Sequence, residues 1–407
     1  AFGTEVFMSY LGDVLSSAFS IIFFIAVIAA LGYLVGGINI KGISLGTAGV
    51  LLVALLFGVF ASYVPSFEVG GHTISLYSSA LASNFSLVSK IGTAFFVTSI
   101  GLIAGPKFFR TFNKKSIAYI LMGVVVILSG ALAAVLLITV DKNLSPEMAV
   151  GLLTGALTST PGLSAATEAV TGEAAGEITA GYGIAYVFGV LGVVLFVQLI
   201  PKLLKVDTEA ERASFQAGNA VTIKPITKKL TKLDPFGAFA FFLAIALGCL
   251  IGSIKIPGIN FSLGTSGGTL ISGLVIGHFG HIFGIDCRIN KESLQFFREL
   301  GLVMFLIGAG VPGGVSFMEN IQLKYFLYGI IMTLVPMIIG FLVAKYVFKL
   351  SIFNNLGSIT GGMTSTPALD ALIRAAGTDE VSSAYAATYP IALVVVVLAA
   401  KIIVMVF

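Results

Sequence analysis

The chain has 407 residues, 57% of them hydrophobic and only 10% charged, with a mean hydropathy of +1.04. Soluble domains carry about a quarter charged residues, so a soluble protein is excluded and an all-α protein crossing a membrane many times is expected. The formal net charge of +4 is too small to point to nucleic acid as a partner, and where the charges sit is more informative.

In chain order, apolar segments fall at about 17–37, 44–64, 90–105, 116–140, 147–162 and 181–204. They recur at about 235–254, 262–282, 297–313, 323–348, 356–373 and 383–406. Most approach the roughly 20 residues needed to cross a bilayer core. The one long polar connection carries Lys205, Arg212, Lys224, Lys228, Lys229 and Lys232. The chain therefore divides into a first membrane repeat at 1–204, a cytoplasmic linker at 205–234 and a second membrane repeat at 235–407.

The halves correspond in more than hydrophobicity. Leu34-Val35-Gly36 and Ser44-Leu45-Gly46-Thr47 align with Leu250-Ile251-Gly252 and Ser262-Leu263-Gly264-Thr265. Gly92, Phe96, Gly101 and Gly105 align with Gly301, Phe305, Gly310 and Gly314. The most distinctive match is Thr154-Gly155-Ala156-Leu157-Thr158-Ser159-Thr160-Pro161 with Thr360-Gly361-Gly362-Met363-Thr364-Ser365-Thr366-Pro367. Blocks that keep their order indicate duplication of a whole half. Each motif sets hydroxyls and a proline inside an apolar segment, and proline both removes a donor and pushes its predecessor out of helical geometry. A helix that stops within the membrane is expected in each copy.

Loop charges suggest the orientation. Positive residues collect on the cytoplasmic side, and the loop with Lys107, Arg110, Lys114 and Lys115 is basic, as is the linker. Three apolar segments separate these two regions, so one must enter and leave by the same face. The segment holding Thr158–Pro161 is the candidate. Each half then has five transmembrane helices plus a re-entrant, broken hairpin, and the odd number inverts the second half. On this plan 18 of the 23 Lys and Arg lie inside and five (Lys90, Lys142, Lys255, Lys324, Lys401) outside, with both termini outside. Inverted repeats with discontinuous helices meeting near the midplane are a plan of secondary transporters.

The duplicated Thr-Gly-x-x-Thr-Ser-Thr-Pro, each copy followed by a helix bearing a tyrosine, resembles the aspartate–alanine exchanger family of bacterial secondary transporters. The resemblance covers both membrane halves. It implies exchange of small amino-acid or dicarboxylate anions in a bacterial inner membrane, with the hairpin motifs at the substrate site. More loosely the plan is similar to elevator-type carboxylate carriers, which implies a homodimer. The short 205–234 linker departs from relatives that carry soluble regulatory domains between the halves.

The candidate substrate residues are Thr158, Ser159, Thr160, Pro161, Thr364, Ser365, Thr366 and Pro367. Hydroxyls in membrane helices commonly bond their own backbone or a neighbouring helix. Two copies in corresponding positions, each before a proline, favour a site. Broken helices offer N-terminal amides to carboxylates and free carbonyls and hydroxyls to Na⁺. Na⁺ near Thr160 and Thr366 is therefore an option, and no other cofactor is expected. Glu168, Asp370 and Arg374 follow the motifs and either face the site or lie at the membrane edge. Tyr186 and Tyr389, in the following helices, either donate to substrate or pack in the core.

The expected function is an exchanger of small anionic or zwitterionic carboxylate-bearing solutes, such as aspartate and alanine or dicarboxylates. It would work by elevator-like alternating access. The alternative is a Na⁺- or H⁺-coupled symporter. A channel would be expected to show an acidic or aromatic ring, and an enzyme a nucleophile motif such as G-x-S-x-G or H-E-x-x-H. No such ring and no H-E-x-x-H occurs in the sequence, and Gly42-Ile43-Ser44-Leu45-Gly46 and Gly264-Thr265-Ser266-Gly267-Gly268 match G-x-S-x-G in their letters alone.

Overall fold

In a hydrocarbon environment a backbone must satisfy its own polar groups, so long uncharged runs leave water as helices. A computed structural model describes all residues except 1, 41–42, 45–46, 109–116, 207–208, 210–229, 256–261, 321 and 379–380. In the first part of the chain, the helices are α1 (Phe2–Ala18), α2 (Ile21–Gly36), α3 (Ala48–Tyr63), α4 (Ser79–Phe108), α5 (Ile117–Val140), α6 (Pro146–Ala156), α7 (Thr160–Ala169) and α8 (Glu173–Leu203). After the linker come α9 (Ala238–Ser253), α10 (Gly264–Phe279), α11 (Lys291–Asn320), α12 (Leu323–Leu342), α13 (Ile352–Gly362), α14 (Thr366–Ala376) and α15 (Ser382–Val406). A π-helical turn, Val343–Val347, continues α12.

Short antiparallel hairpins join some of these: β1 (Asn39–Ile40) with β2 (Ile43–Ser44), β3 (Ser66–Val69) with β4 (His72–Ser75), and β5 (His281–Ile282) with β6 (Ile285–Asp286). Between α9 and α10 a bridge pairs Lys255 with Ser262. From α2 to α8 and again from α9 to α15, the order is helix, strand contact, helix, hairpin, two long helices, two short helices and a long helix.

Among the described residues, six helices are long and apolar enough to cross a membrane: α4, α5, α8, α11, α12 and α15, or seven if α1 and α2, bent by 80°, count as one span. Helices α3 and α9 are apolar but have 16 residues each, about 24 Å at 1.5 Å per residue. The structure departs from the sequence reading most at two starts. The segment expected from 17 is preceded by α1, whose Glu5 and Asp13 lower its hydropathy. The segment expected from 90 begins at Ser79, because Ser79, Ser83, Asn84 and Ser86 mask a helix that buries Phe85 completely.

The aligned glycines hold the centre together. Helices α4 and α11 cross so closely that a Cβ on Gly92 would lie 2.3 Å from Phe305 N, and one on Gly301 2.4 Å from Phe96 N. Helix α3 approaches α11 where Gly58 meets Gly314, and α10 approaches α4 where Gly277 faces Gly105. Small residues permit this close backbone approach between membrane helices. Most of the linker lies outside the described residues. Its described end is tied down where Thr231 pairs with the β5–β6 turn and Asp234 accepts the N–H groups of Phe236, Ala238 and Phe239 at the start of α9. These donors hold the Asp234 carboxyl below the usual carboxylate range, the Phe239 N–H most of all.

Candidate functional site

Both expected helix breaks occur, at 157–159 and 363–365. Each has the same turn chemistry. Ser159 N–H donates to Thr154 O (2.8 Å) and Thr158 N–H to Gly155 O (2.9 Å). In the second copy Ser365 N–H donates to Thr360 O and Thr364 N–H to Gly361 O, both at 3.1 Å. This paired pattern ends a helix with one left-handed residue, usually glycine. Here that residue is threonine in both copies, Thr158 and Thr364, each at φ 51°. A β-branched residue held there stores strain on the order of 1–3 kcal/mol.

The two turns touch. Thr158 Oγ1 donates to Met363 O at 3.0 Å, and Thr364 Oγ1 donates to Leu157 O at 3.1 Å. The acceptors are end-of-helix carbonyls of α6 and α13, which lack partners within their own helices.

The direction of approach can be read from the packing. Helix α6 runs beside the first half of α8 in the same sense: Ser145 bonds Glu177, Gly151 meets Ile178, Gly155 meets Tyr182, and Gly189 reaches Gly155 and Ala156. Since α8 starts at Glu173, α7 must travel back. Helix α13 is laid against α15 likewise, Gly357 at Val381 and Gly361 at Tyr385 and Thr388. Along α5, Asp141 just past its end binds Lys324 and Tyr328 of α12, Gly130 faces Leu153 and Leu157, Val126 faces Gly362, and Gly123 faces Thr388. The α6–α7 and α13–α14 pairs therefore approach from opposite ends of α5. Their turns meet between Val126 and Gly130.

Helices α7 and α14 begin at this meeting point, so their positive N-terminal ends converge there. Ser159 caps α7 by accepting from Gly162 N–H (3.3 Å), with Pro161 in its first turn. Ser365, its counterpart, makes no such bond, and its fully buried Oγ has no hydrogen-bond partner among the described residues. Nor has the buried Thr388 Oγ1, which lies against Gly361. Buried hydroxyls left open are uncommon and call for a ligand or another explanation.

Thr160 Oγ1 lies 3.2 Å from Tyr182 OH, and the Tyr182 ring lies 5.1 Å from Tyr186. Tyr385 and Tyr389 repeat the arrangement at 5.0 Å. The sequence reading singled out Tyr186 and Tyr389 and missed Tyr182 and Tyr385. The signal was the recurrence of Tyr-x-x-x-Tyr after both motifs, a spacing that puts both rings on one helix face.

The remaining candidates separate from the turns. Arg374 is exposed and lines a cavity of about 450 Å³ with Gln198, Lys202 and Lys205. Glu168 accepts the backbone N–H of Ser266 with both oxygens (3.2 and 3.0 Å) at the start of α10, near Lys401 of α15. The Ser164 hydroxyl, one turn earlier, joins Thr93 (3.0 Å) to Ser266 (2.8 Å). The side chains of Thr366, Pro367 and Asp370 lie outside the described residues, and with them the Thr366 part of the Na⁺ expectation.

A family model described as "Predicted Permease Membrane Region" matches residues 24–202 and 240–405. An uncharacterized transporter of Bacteroides fragilis is 28% identical over 551 positions, covering 96% of this chain and 98% of its own length. One of Desulfotalea psychrophila is 24% identical over 546 positions, covering 94% and 96%. One of Symbiobacterium thermophilum is 38% identical over 191 residues, 46% of this chain and 31% of its own. The two long alignments exceed 407 positions, so those relatives carry residues that this chain lacks. The family match is interrupted over the linker.

Proposed function

The chain belongs to the aspartate–alanine exchanger family of membrane permeases, and on that footing we propose that it is a secondary active transporter that exchanges small carboxylate-bearing solutes. The observation that carries the reading is the reciprocal contact of the two turns, Thr158 with Met363 and Thr364 with Leu157. Two strained turns that meet from opposite ends of α5 support inverted repeats with re-entrant hairpins. Non-helical backbone at membrane depth is tolerated where it is buried in protein or lines a cavity.

The chemistry follows from what the turns leave open. The threonine hydroxyls occupy the helix-end carbonyls, so the negative ends of α6 and α13 are masked. The N-terminal ends of α7 and α14 remain, with the open hydroxyls of Ser365 and Thr388 nearby. That set attracts an anion and donates to carboxylate oxygens. Aspartate, alanine or a dicarboxylate is the class of solute. Na⁺ or proton coupling is the alternative; Thr160 would offer Na⁺ an oxygen lone pair while its hydroxyl bonds Tyr182. In an elevator-like cycle within a homodimer, the joined turns would move as a unit and open to one face at a time. The bacterial inner membrane, termini outside and linker cytoplasmic, is the setting this reading requires.

The test is counter-flow of radiolabelled aspartate, alanine and succinate in proteoliposomes, with and without Na⁺ and pH gradients. Saturable exchange of at least one is expected. An absence of counter-flow for every carboxylate under all gradients would sink the proposal, and single-channel currents would point to a pore instead.

A further inference from the structure

A cavity of about 350 Å³ lies between the ends of three helices, away from the motif turns. Its walls include Leu102 and Ile103 of α4, Gly277 of α10, and Lys291, Gln295 and Arg298 of α11. Among the described residues, no acidic one lines it. Arg288 also borders it, but Asp286 already holds that guanidinium through two bonds of 2.8 Å. Lys291 and Arg298 have no ion pair among the described residues.

Arg298 is the unusual one. It is the eighth residue of the apolar span Lys291–Val315, about 10 Å along the helix at 1.5 Å per residue, and it is half-buried. An unpaired arginine within a membrane span is expensive and is by default functional. The α4 stretch that walls the cavity also packs Val97, Ile100 and Ala104 in one apolar cluster with Tyr389. Tyr389 stacks on Tyr385, whose backbone carbonyl lies against Gly361, just before the second turn. A packed series thus runs from the cavity wall on α4 to Tyr389, Tyr385 and the 363–365 turn.

We propose that this cavity is an anion-binding vestibule in which Arg298 takes a carboxylate of the transported solute on its way to the turns. The proposal rests on the transporter reading for the identity of the solute, but the anion site stands on the cavity and its charges. A guanidinium matches a carboxylate with two parallel bonds, which an ammonium cannot reproduce.

Two measurements separate the claims. In proteoliposomes, Arg298→Met is expected to raise KM for aspartate and succinate at least ten-fold, Arg298→Lys to recover part of the loss, and Lys142→Gln to change nothing. Independently of transport, Gln295→Cys is placed in a Cys249→Ser, Cys287→Ser background. Its rate with anionic 2-sulfonatoethyl methanethiosulfonate is compared with that of the cationic 2-trimethylammonioethyl reagent. The anionic reagent is expected to win by at least ten-fold, to lose that advantage with Arg298→Met, and to be slowed by succinate. Equal rates for the two reagents, or a ratio unchanged by Arg298→Met, would overturn the vestibule even if transport is found. A preserved ratio without transport of any carboxylate would leave the anion site standing and remove the transport reading.

Discussion

The Thr158 hydroxyl donates to the carbonyl of Met363, 205 positions away in sequence, while Thr364 returns the same bond to Leu157. Neither threonine is in a comfortable backbone conformation, so each hydroxyl bond helps hold a strained turn. Thr158→Val removes the donor and keeps the β-branch at φ 51°, leaving a buried carbonyl short of a partner at about 1–3 kcal/mol. Thr158→Ser keeps the donor and drops the branch. The valine variant is expected to lose most exchange and to melt several degrees lower, whereas the serine variant retains both. Thermal unfolding with proteoliposome exchange reads this. Equal behaviour of the two would show that the hydroxyl is unimportant.

Gly155 and Gly361 offer a graded test of the packing that positions the turns. A Cβ on Gly155 would lie 2.4 Å from the Tyr182 carbonyl oxygen, and one on Gly361 2.8 Å from that of Tyr385. Both neighbours are backbone and cannot rotate aside. Overpacking of this kind costs about 1–3 kcal/mol, so Gly155→Ala should destabilise more than Gly361→Ala. The order of the two melting temperatures checks it.

These positions also mark what the sequence could convey. The duplicated motif located both turns, and the aligned Gly92 and Gly301 identified a close helix crossing, because small residues and proline act locally and survive as letters. Which tyrosine of each pair reaches the motif depends on helix rotation, so Tyr186 stood out while Tyr182 makes the contact with Thr160. Arg374 follows the second motif in sequence, and spacing alone left it either facing the site or at the membrane edge. Helix α14 carries it to a cavity with Lys202 and Lys205, and Arg298, in another part of the chain, could be found only by seeing which helices share a cavity.

Acid should act through Asp141, which lies just past the end of α5. Lys324 Nζ (2.7 Å), then Asn143 N–H and Tyr328 OH, hold its carboxyl below the usual carboxylate range. A carboxyl lowered by folding contributes stability that is complete above its unfolded value, about 4, and is lost as pH falls through the folded value. Wild-type melting temperature should therefore drop as pH falls below about 4. Asp141→Asn should be less stable at neutral pH and show a shallower acid slope. Parallel curves for the two proteins would assign the acid loss to other carboxyls.

The Glu168 carboxylate and the Lys401 ammonium lie 2.7 and 2.9 Å from the point where a Cβ on Gly264 would stand. Gly264 itself is at φ +68°, so only glycine suits both the backbone and the space. Glu168 also accepts from Ser266 N–H, which places a negative group on the positive end of α10. Their opposite charges border the same small space, and a charge held in a partly buried site without a neighbour of opposite sign is costly. Glu168→Gln and Lys401→Met should each destabilise strongly, and the double variant should cost less than their sum by at least about 1 kcal/mol. Denaturant or thermal unfolding of the four proteins closes the cycle. Strict additivity would mean that Glu168 serves the α10 amides alone and that Lys401 is held by something else.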